Sequence, residues 1–220
     1  MIDEKTYENL YKTTSYGDAS KDRCPGARFF PLYKHHLKPV VMDFGCGNGD
    51  TVHLIREAGI PADGIDWVNL NNDMMVRDIR KPLNLRGYNT AICMGVLEHL
   101  EPEGIEKVLC NLAQCERQVL TVHSGPATSY PPSDLHLTQW SLAKWDRIIR
   151  VHFVVVRTVL LQVGMRKLYI LENFPKVRNE TRNQTTKAAH VHGKRTGARS
   201  GTKKNPRRHV NKNRPKPKKN

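Results

Sequence analysis

The stretch "VVMDFGCGNGD", residues 40–50, decides how this chain is read. Val40, Val41 and Met42 run as an apolar triplet into Asp43, and glycines follow at Gly45, Gly47 and Gly49. The triplet predicts a short strand buried on both faces. Glycines lack a Cβ and tolerate positive φ, so a loop built from them turns sharply and lets a ligand approach its backbone. Beyond it, "TVHLIREAG" (51–59) carries Val52, Ile55 and Ala58 on one helical face and stops at Gly59. Asp50 stands where a helix cap is expected. Strand, glycine loop and helix make the first part of a nucleotide-binding βαβ unit.

The dinucleotide fingerprint G-x-G-x-x-G does not fit, because its third glycine falls on Asp50. A Walker lysine is also absent, which excludes a P-loop. The pattern is G-x-G-x-G, with an acid two residues before the first glycine. An acidic strand end disfavours a pyrophosphate and suits a ligand carrying an ammonium and a sulfonium. In this motif the sequence resembles the class I (Rossmann-like) S-adenosylmethionine-dependent methyltransferases. Their first motif reads hydrophobic-hydrophobic-Asp/Glu-hydrophobic-Gly-x-Gly-x-Gly. A purely structural glycine turn is the competing reading of the loop alone.

Three later segments support the resemblance. "ADGIDWVN" (62–69) reads as a second strand ending at Asp66, 23 residues after Asp43. An acid at about that distance accepts hydrogen bonds from ribose hydroxyls, and Trp67 would lie beside the adenine. In "MMVRDIRKPL" (74–83), Met74 to Arg77 reads as a third strand. Asp78 stands where the family has an acceptor for the adenine amino group, and Ile79 would pack on the ring. In "YNTAICMGVLEHLEPEG" (88–104), Thr90 to Met94 reads as a fourth strand, and "LEHL" resembles a family segment beyond it. The resemblance implies S-adenosylmethionine as cofactor. It assigns cofactor binding to Asp43, Gly45, Cys46, Gly47, Gly49, Asp66, Trp67, Asp78, Ile79 and Met94.

The chain has 220 residues, enough for one domain and an appendage. It has no apolar run of about 18 residues, so no membrane span is expected. "MIDEKTYENLYK" at the start is acidic and polar, unlike a signal peptide. Five cysteines without a C-x-x-C pair fit reduced thiols in a cytoplasmic protein. Charge is distributed unevenly. Residues 176–220 hold 16 Lys or Arg and one acid, so they carry the whole formal charge of +15, and residues 1–175 net to zero. With almost no large apolar residue, 176–220 is expected to be a disordered basic tail. Such a tail suits nonspecific contact with RNA or DNA phosphates; a solubilising segment is the plainer reading.

The expected organisation is an N-terminal helical lid segment at 1–37, a methyltransferase domain at 38–175 and the tail at 176–220. "CPGARFFPLYKHHL" (24–37) reads as a helix interrupted at Pro31 and packing over the cofactor entrance, with Tyr16-Gly17 in the lid. A helix is expected from about Glu103, with Ile105, Val108, Leu109 and Leu112 on one face. "RQVLTVHSG" (117–125) reads as a fifth strand. "TQWSLAKWDRIIR" (138–150) reads as a helix pairing Trp140 with Lys144 and packing Trp145 and Ile148 inward. "HFVVVRTVLLQ" and "MRKLYILEN" read as an antiparallel strand pair meeting at Val163-Gly164. The expected fold is α/β: a Rossmann-like, seven-stranded, mostly parallel sheet with an antiparallel last strand and helices on both faces. "VLEHLEPEGIEKVL" followed by "SGPA" and "DLHLTQWSLAKW" also resembles methyltransferases encoded by tailed bacteriophages.

Methyl transfer is an in-line displacement, and a general base helps when the acceptor is a hydroxyl or ammonium. The candidates are Glu98, His99 and His136, with His123 beside them, all beyond strand ends that face the crevice. A cap and surface polarity are the structural reading of Glu98-His99. The pair with a later histidine is also similar to small-RNA 2′-O-methyltransferases that bind a metal through Glu-x-x-Glu-His plus a distant His. Here Gly95 stands at the first ligand position, so no metal is expected. Amino-directed base methyltransferases carry (Asp/Asn/Ser)-Pro-Pro-(Tyr/Phe) after the fourth strand, where this chain has Cys93-Met94-Gly95-Val96. "YPPSD" (130–134) follows the fifth strand instead. Cys93, inside a buried strand, does not suit a cytosine-C5 nucleophile. The expected function is methyl transfer to an unidentified O or N acceptor. The rivals are a nucleic-acid-directed enzyme guided by the tail, a non-catalytic binding protein of this fold and a nicotinamide-dependent oxidoreductase.

Overall fold

The first strand, β1 (Val41–Phe44), extends through Asp43, and all four of its residues are buried. A computed structural model describes residues 4–14, 16, 24–126, 135–161 and 164–175. The basic tail at 176–220, Gly17, the "YPPSD" segment and Val163 lie outside the described residues. The elements follow as α1 (Glu4–Thr13), α2 (Pro25–Tyr33), β1, α3 (Asp50–Glu57), β2 (Ala62–Asp66), β3 (Met75–Val76), β4 (Thr90–Met94), α4 (Pro102–Leu112), β5 (Arg117–His123), α5 (Leu142–His152), β6 (Val154–Leu161) and β7 (Arg166–Glu172).

The seven strands form one sheet in the order β3-β2-β1-β4-β5-β7-β6. Strands β1 to β5 pair in parallel, and β7 runs antiparallel between β5 and β6. Strand order reverses between β1 and β4, which opens a crevice at their carboxyl ends. Register aligns those ends: Asp43 lies opposite Gly64 and Ile92, and Asp66 lies opposite Val76. Alternation along the strands feeds two cores. Met42 and Phe44 join Ile105, Leu109, Trp145 and Ile149 of α4 and α5 on one face. Val41, Ile92 and Met94 join Phe29, Tyr33, Val52 and Ile55 of α2 and α3 on the other. β1 and β4 therefore have no solvent-exposed face, as parallel strands covered by helices require.

Several local expectations need correction. The helix cap of α3 is Gly49 (φ 87°), not Asp50, which is the first helical residue and there favours the positive end of the helix dipole. α2 runs through Pro31 to Tyr33. Pro31 is on the exposed face, where the carbonyl that loses its intrahelical donor can be hydrated. α2 covers the α3 side of the sheet, with Gly26 packed against Thr51, rather than the cavity entrance. In α5 the fully buried residues are Trp145 and Ile149, and Ile148 is half-buried; Lys144 Nζ does sit 4.1 Å from the Trp140 ring centroid. No described helix is long and apolar enough to cross a membrane.

Candidate functional site

The glycine loop leaves β1 at the switch point. Gly45 donates its N–H to Ile65 O at 2.8 Å, which holds the loop against β2. Gly47 sits at φ 57°, and a Cβ there would lie 2.4 Å from the Tyr11 hydroxyl. Only glycine combines that backbone with that contact. Tyr11 belongs to α1, so the N-terminal helix lies over the loop.

A cavity of about 420 Å³ opens beside the loop. Gly45, Asp66, Trp67, Asp78 and Ile79 line it, as do Tyr7, Tyr11, Tyr16, Arg80, Val96, His99 and Leu137. Asp43, Cys46, Gly47, Gly49 and Met94 are not in its lining. Asp43 and Met94 are buried in strands under the loop, and Cys46 turns inward until its sulfur packs near Gly64. Burial, then nearby Asp66, pushes the Asp43 carboxyl up to about 8, and burial also pushes the Cys46 thiol far up.

Asp66 holds the loop directly. Its Oδ2 accepts from the Gly47 N–H at 2.8 Å and its Oδ1 from the Val68 N–H at 3.2 Å. Each oxygen keeps a further acceptor position, and Asp66 lines the cavity. Burial raises the Asp66 carboxyl, and the surrounding backbone N–H groups hold it back. Asp78 is more fully engaged than its motif position implies. Its Oδ1 accepts from Arg80 N (2.9 Å) and Nε (2.8 Å), and its Oδ2 from Arg80 Nη2 (3.0 Å). One acceptor position remains on Oδ2. Burial opposes the Asp78 charge, but Arg80 and Lys81 outweigh it and hold the carboxyl below its usual range. The Arg80 guanidinium also lies 5.3 Å from the Trp67 ring centroid.

Beyond the cavity wall the imidazoles converge. The His99 and His136 rings are 4.9 Å apart, and those of His136 and His123 are 5.0 Å apart. Donor atoms of Glu98, His99 and His136 lie within 4.8 Å of one another. His99 Nδ1 is 2.9 Å from Leu135 O and His136 Nδ1 is 2.8 Å from Gly125 O. A carbonyl only accepts, so both rings donate from Nδ1, and the neutral His99 ring presents Nε2 as a lone pair. Tyr16 Oη approaches His99 Nε2 at 3.5 Å. Burial, then His136, depresses the His99 imidazole to about 3; burial, then Arg166 and His136, depresses His123 to about 4. Both rings are neutral at neutral pH. Glu98 is fully buried, and neither carboxylate oxygen has a hydrogen-bond partner among the described residues. Its nearest cation, Arg166 Nη2, stands 4.0 Å away. Burial raises its carboxyl, and Arg166 and His136 oppose the rise.

The sequence reading missed Tyr7, Tyr11, Arg80 and Arg166. Tyr7 and Tyr11 are four residues apart in "YENLYK" and share a helical face, a pattern that gives no hint of where the helix docks. Tyr7 packs edge-on against Trp67 (5.7 Å) and His99 (5.9 Å), linking the cavity to the histidines. Cys93 is fully buried in β4 and burial pushes its thiol far up, which fits an inert side chain.

No protein-family model matches the chain, and no curated protein matches it. Solved structures do. A Burkholderia thailandensis 1,6-didemethyltoxoflavin-N1-methyltransferase, with 1,6-didemethyltoxoflavin and S-adenosylhomocysteine bound, superposes with a TM-score of 0.57 at 15% identity, covering 79% of this chain and 91% of that one. The magnesium protoporphyrin IX methyltransferase of Synechocystis PCC 6803, with S-adenosylmethionine bound, gives 0.54 at 18%, covering 79% and 99%. A TehB-like S-adenosylmethionine-dependent methyltransferase of Corynebacterium glutamicum gives 0.56 at 15%, covering 78% and 98%. The chain has the fold of the S-adenosylmethionine-dependent methyltransferases.

Proposed function

We propose that the protein is an S-adenosylmethionine-dependent methyltransferase acting on an oxygen or nitrogen acceptor. The observation that carries this reading is a glycine loop at the point of strand-order reversal, opening on a cavity of about 420 Å³ that Asp66, Trp67 and Ile79 help to wall. The cavity residues fit the cofactor. Asp66 has an acceptor position on each oxygen for the two ribose hydroxyls. Trp67 and Ile79 offer flat and apolar surface to the adenine, and the last acceptor position of Asp78 is available to its amino group. When bound, the cofactor supplies an electrophilic methyl group on a sulfonium.

The protein's own groups supply orientation, a dry site and a proton acceptor. Tyr7, Tyr11 and Tyr16 line the cavity with aromatic surface, and a ligand that displaces water from it would strengthen the polar contacts beside them. His99 is in the cavity wall with a neutral ring, and an acceptor would reach its Nε2 by displacing the Tyr16 hydroxyl 3.5 Å away. Its Nδ1–H bond to Leu135 O keeps that tautomer and ring orientation. Glu98, whose carboxylate lies within 4.8 Å of a donor atom of His99, can stabilise the charge that an arriving proton brings. The decisive experiment is a product-resolved methylation assay on lysate fractions with labelled cofactor, alongside calorimetry with S-adenosylmethionine, S-adenosylhomocysteine and a nicotinamide dinucleotide. Heat with the dinucleotide alone would overturn the reading. A second reading, nucleic acid as acceptor or guide, is favoured by the concentration of charge in 176–220.

Asp66→Ala is expected to weaken cofactor binding by roughly 1–3 kcal/mol, because it leaves ribose donors and the Gly47 N–H unpaired. His99→Ala is expected to keep cofactor affinity and lose turnover. Titration calorimetry on both variants checks this, and equal losses of affinity would remove Asp66 from the ribose.

Asp43 gives a pH prediction. With its carboxyl at about 8, it is largely protonated at pH 7. A cationic ligand near the loop favours its ionised form, so binding should release a proton and affinity should rise with pH up to about 8. Calorimetry at pH 7 in buffers of different ionisation enthalpy should show the release, and Asp43→Asn should abolish it. The stability effect has the opposite sign. A carboxyl raised on folding contributes stability at pH values below its unfolded value of 3.8, and this is lost progressively as pH climbs toward about 8.

A further inference from the structure

Four of the five cysteines are buried, and Cys110 alone is exposed. It lies on α4, four residues after Glu106, so both side chains project from one helical face. The last residue of α5, His152, meets them there. Its Nε2 is 3.1 Å from Glu106 Oε2, and one donor atom from each of the three residues lies within 4.8 Å of the other two. None of the three lines the cavity, so this cluster is separate from the proposed methyl-transfer site. The two helices are held in place by the same core, through Ile105, Val108 and Leu109 of α4 and Ile149 with adjoining Phe153 at the end of α5. The backbones bearing the donors are therefore fixed before any ligand arrives. The His152 side chain is only 14% exposed although its partner Glu106 is 60% exposed, so the imidazole is held at the helix junction.

We propose that Glu106, Cys110 and His152 form a site for a divalent cation of the zinc type, joining α4 to α5. The donor chemistry selects the ion. A thiolate, an imidazole and a carboxylate suit zinc or cobalt(II) and disfavour magnesium and calcium, which take oxygen ligands. Three protein ligands leave one tetrahedral position for water. In the metal-free protein an imidazole Nε2 and a carboxylate oxygen at 3.1 Å need a shared proton, because both are otherwise acceptors. The cation takes the Nε2 position, the proton of the neutral ring moves to Nδ1, and Cys110 loses its own, so binding releases a proton and strengthens with pH. The effect is a cross-link between two helices that contact each other otherwise through apolar side chains. The proposal is independent of methyl transfer.

The test uses the full-length, reduced and chelator-treated protein with cobalt(II) as probe. A cobalt–thiolate bond gives a near-ultraviolet charge-transfer band that imidazole and carboxylate sites do not give. Histidines elsewhere in the chain therefore do not mimic it. The expected result is a band that saturates at one cobalt per chain, disappears on adding zinc, and is absent in Cys110→Ser. Glu106→Gln and His152→Gln are each expected to weaken cobalt binding about tenfold or more. Zinc should also protect Cys110 from alkylation in the parent protein but not in His152→Gln. All three residues have a surface position or an exposed partner, and matching thermal melts without metal verify that the variants fold. Absence of the band, its persistence in Cys110→Ser, or saturation at one cobalt per two chains with dimer formation would each overturn the proposal.

Discussion

Gly47→Val is expected to abolish cofactor binding, lowering affinity by more than about a hundredfold, the scale on which a displacement of about 1 Å disrupts a preorganised site. Two effects act together. At φ 57° a β-branched residue is strained, at roughly 1–2 kcal/mol for the left-handed backbone. Its Cβ would also lie 2.4 Å from the Tyr11 hydroxyl, so either α1 lifts or the loop moves. If the loop moves, the Gly47 N–H leaves Asp66 Oδ2, and the carboxylate proposed to bind the ribose loses its anchor. Gly59→Val isolates the strain. Gly59 has φ 79°, ends α3 and has no neighbour within 4 Å of a built Cβ. It should lower the melting temperature and leave cofactor affinity unchanged. Calorimetry and thermal melts on both variants decide the matter. Wild-type affinity in Gly47→Val would mean that the cofactor does not depend on this loop.

How much of this was readable beforehand depends on whether the determinant is local. β1, its loop and α3 are legible because apolar run, glycines and helical spacing lie within twenty residues of one another. The seven-stranded, mostly parallel sheet with an antiparallel end is legible in the alternation of strand and helix, whereas the strand order, with β7 between β5 and β6, is not. Misreadings arise where a local feature has a neighbour that pattern does not weigh. Asp78 lies at the expected position, but Arg80, two residues on, takes most of its acceptor capacity. "MMVR" has the apolar content of a strand, yet only Met75 and Val76 pair, at an exposed sheet edge. Asp50 resembles a cap, but a glycine free to adopt positive φ ends the loop one residue earlier. Contacts distant in sequence were invisible. Nothing in "YENLYK" indicates that Tyr11 rests on Gly47 or that Tyr7 bridges Trp67 and His99. Arg166, in β7, reaches Glu98 because an antiparallel strand brings its first residue opposite His123 at the end of β5.

Truncation after Phe174 is expected to leave a folded, cofactor-binding domain and to remove most nonspecific nucleic-acid affinity. The folded half of this prediction rests on where the packing ends. Leu168 to Leu171 are fully buried, and Asn173 closes the sheet by donating to Ala113 O and Cys115 O at 2.9 Å each. The truncated chain keeps all of these groups. The binding half rests on charge. Residues 1–175 carry no formal net charge, whereas 176–220 supply 16 cations against one acid. If about 6–10 of those cations neutralise phosphates, counterion release makes affinity fall roughly 10³- to 10⁵-fold between 50 and 200 mM salt. Fluorescence anisotropy with a random oligonucleotide, at low and moderate salt, compares the two chains. Equal binding would move the nucleic-acid surface onto the folded domain. Absence of binding by either chain would make the tail a solubility or protein-contact segment, and a small-molecule acceptor would then lead, because the tail holds the whole formal excess of positive charge and residues 1–175 net to zero.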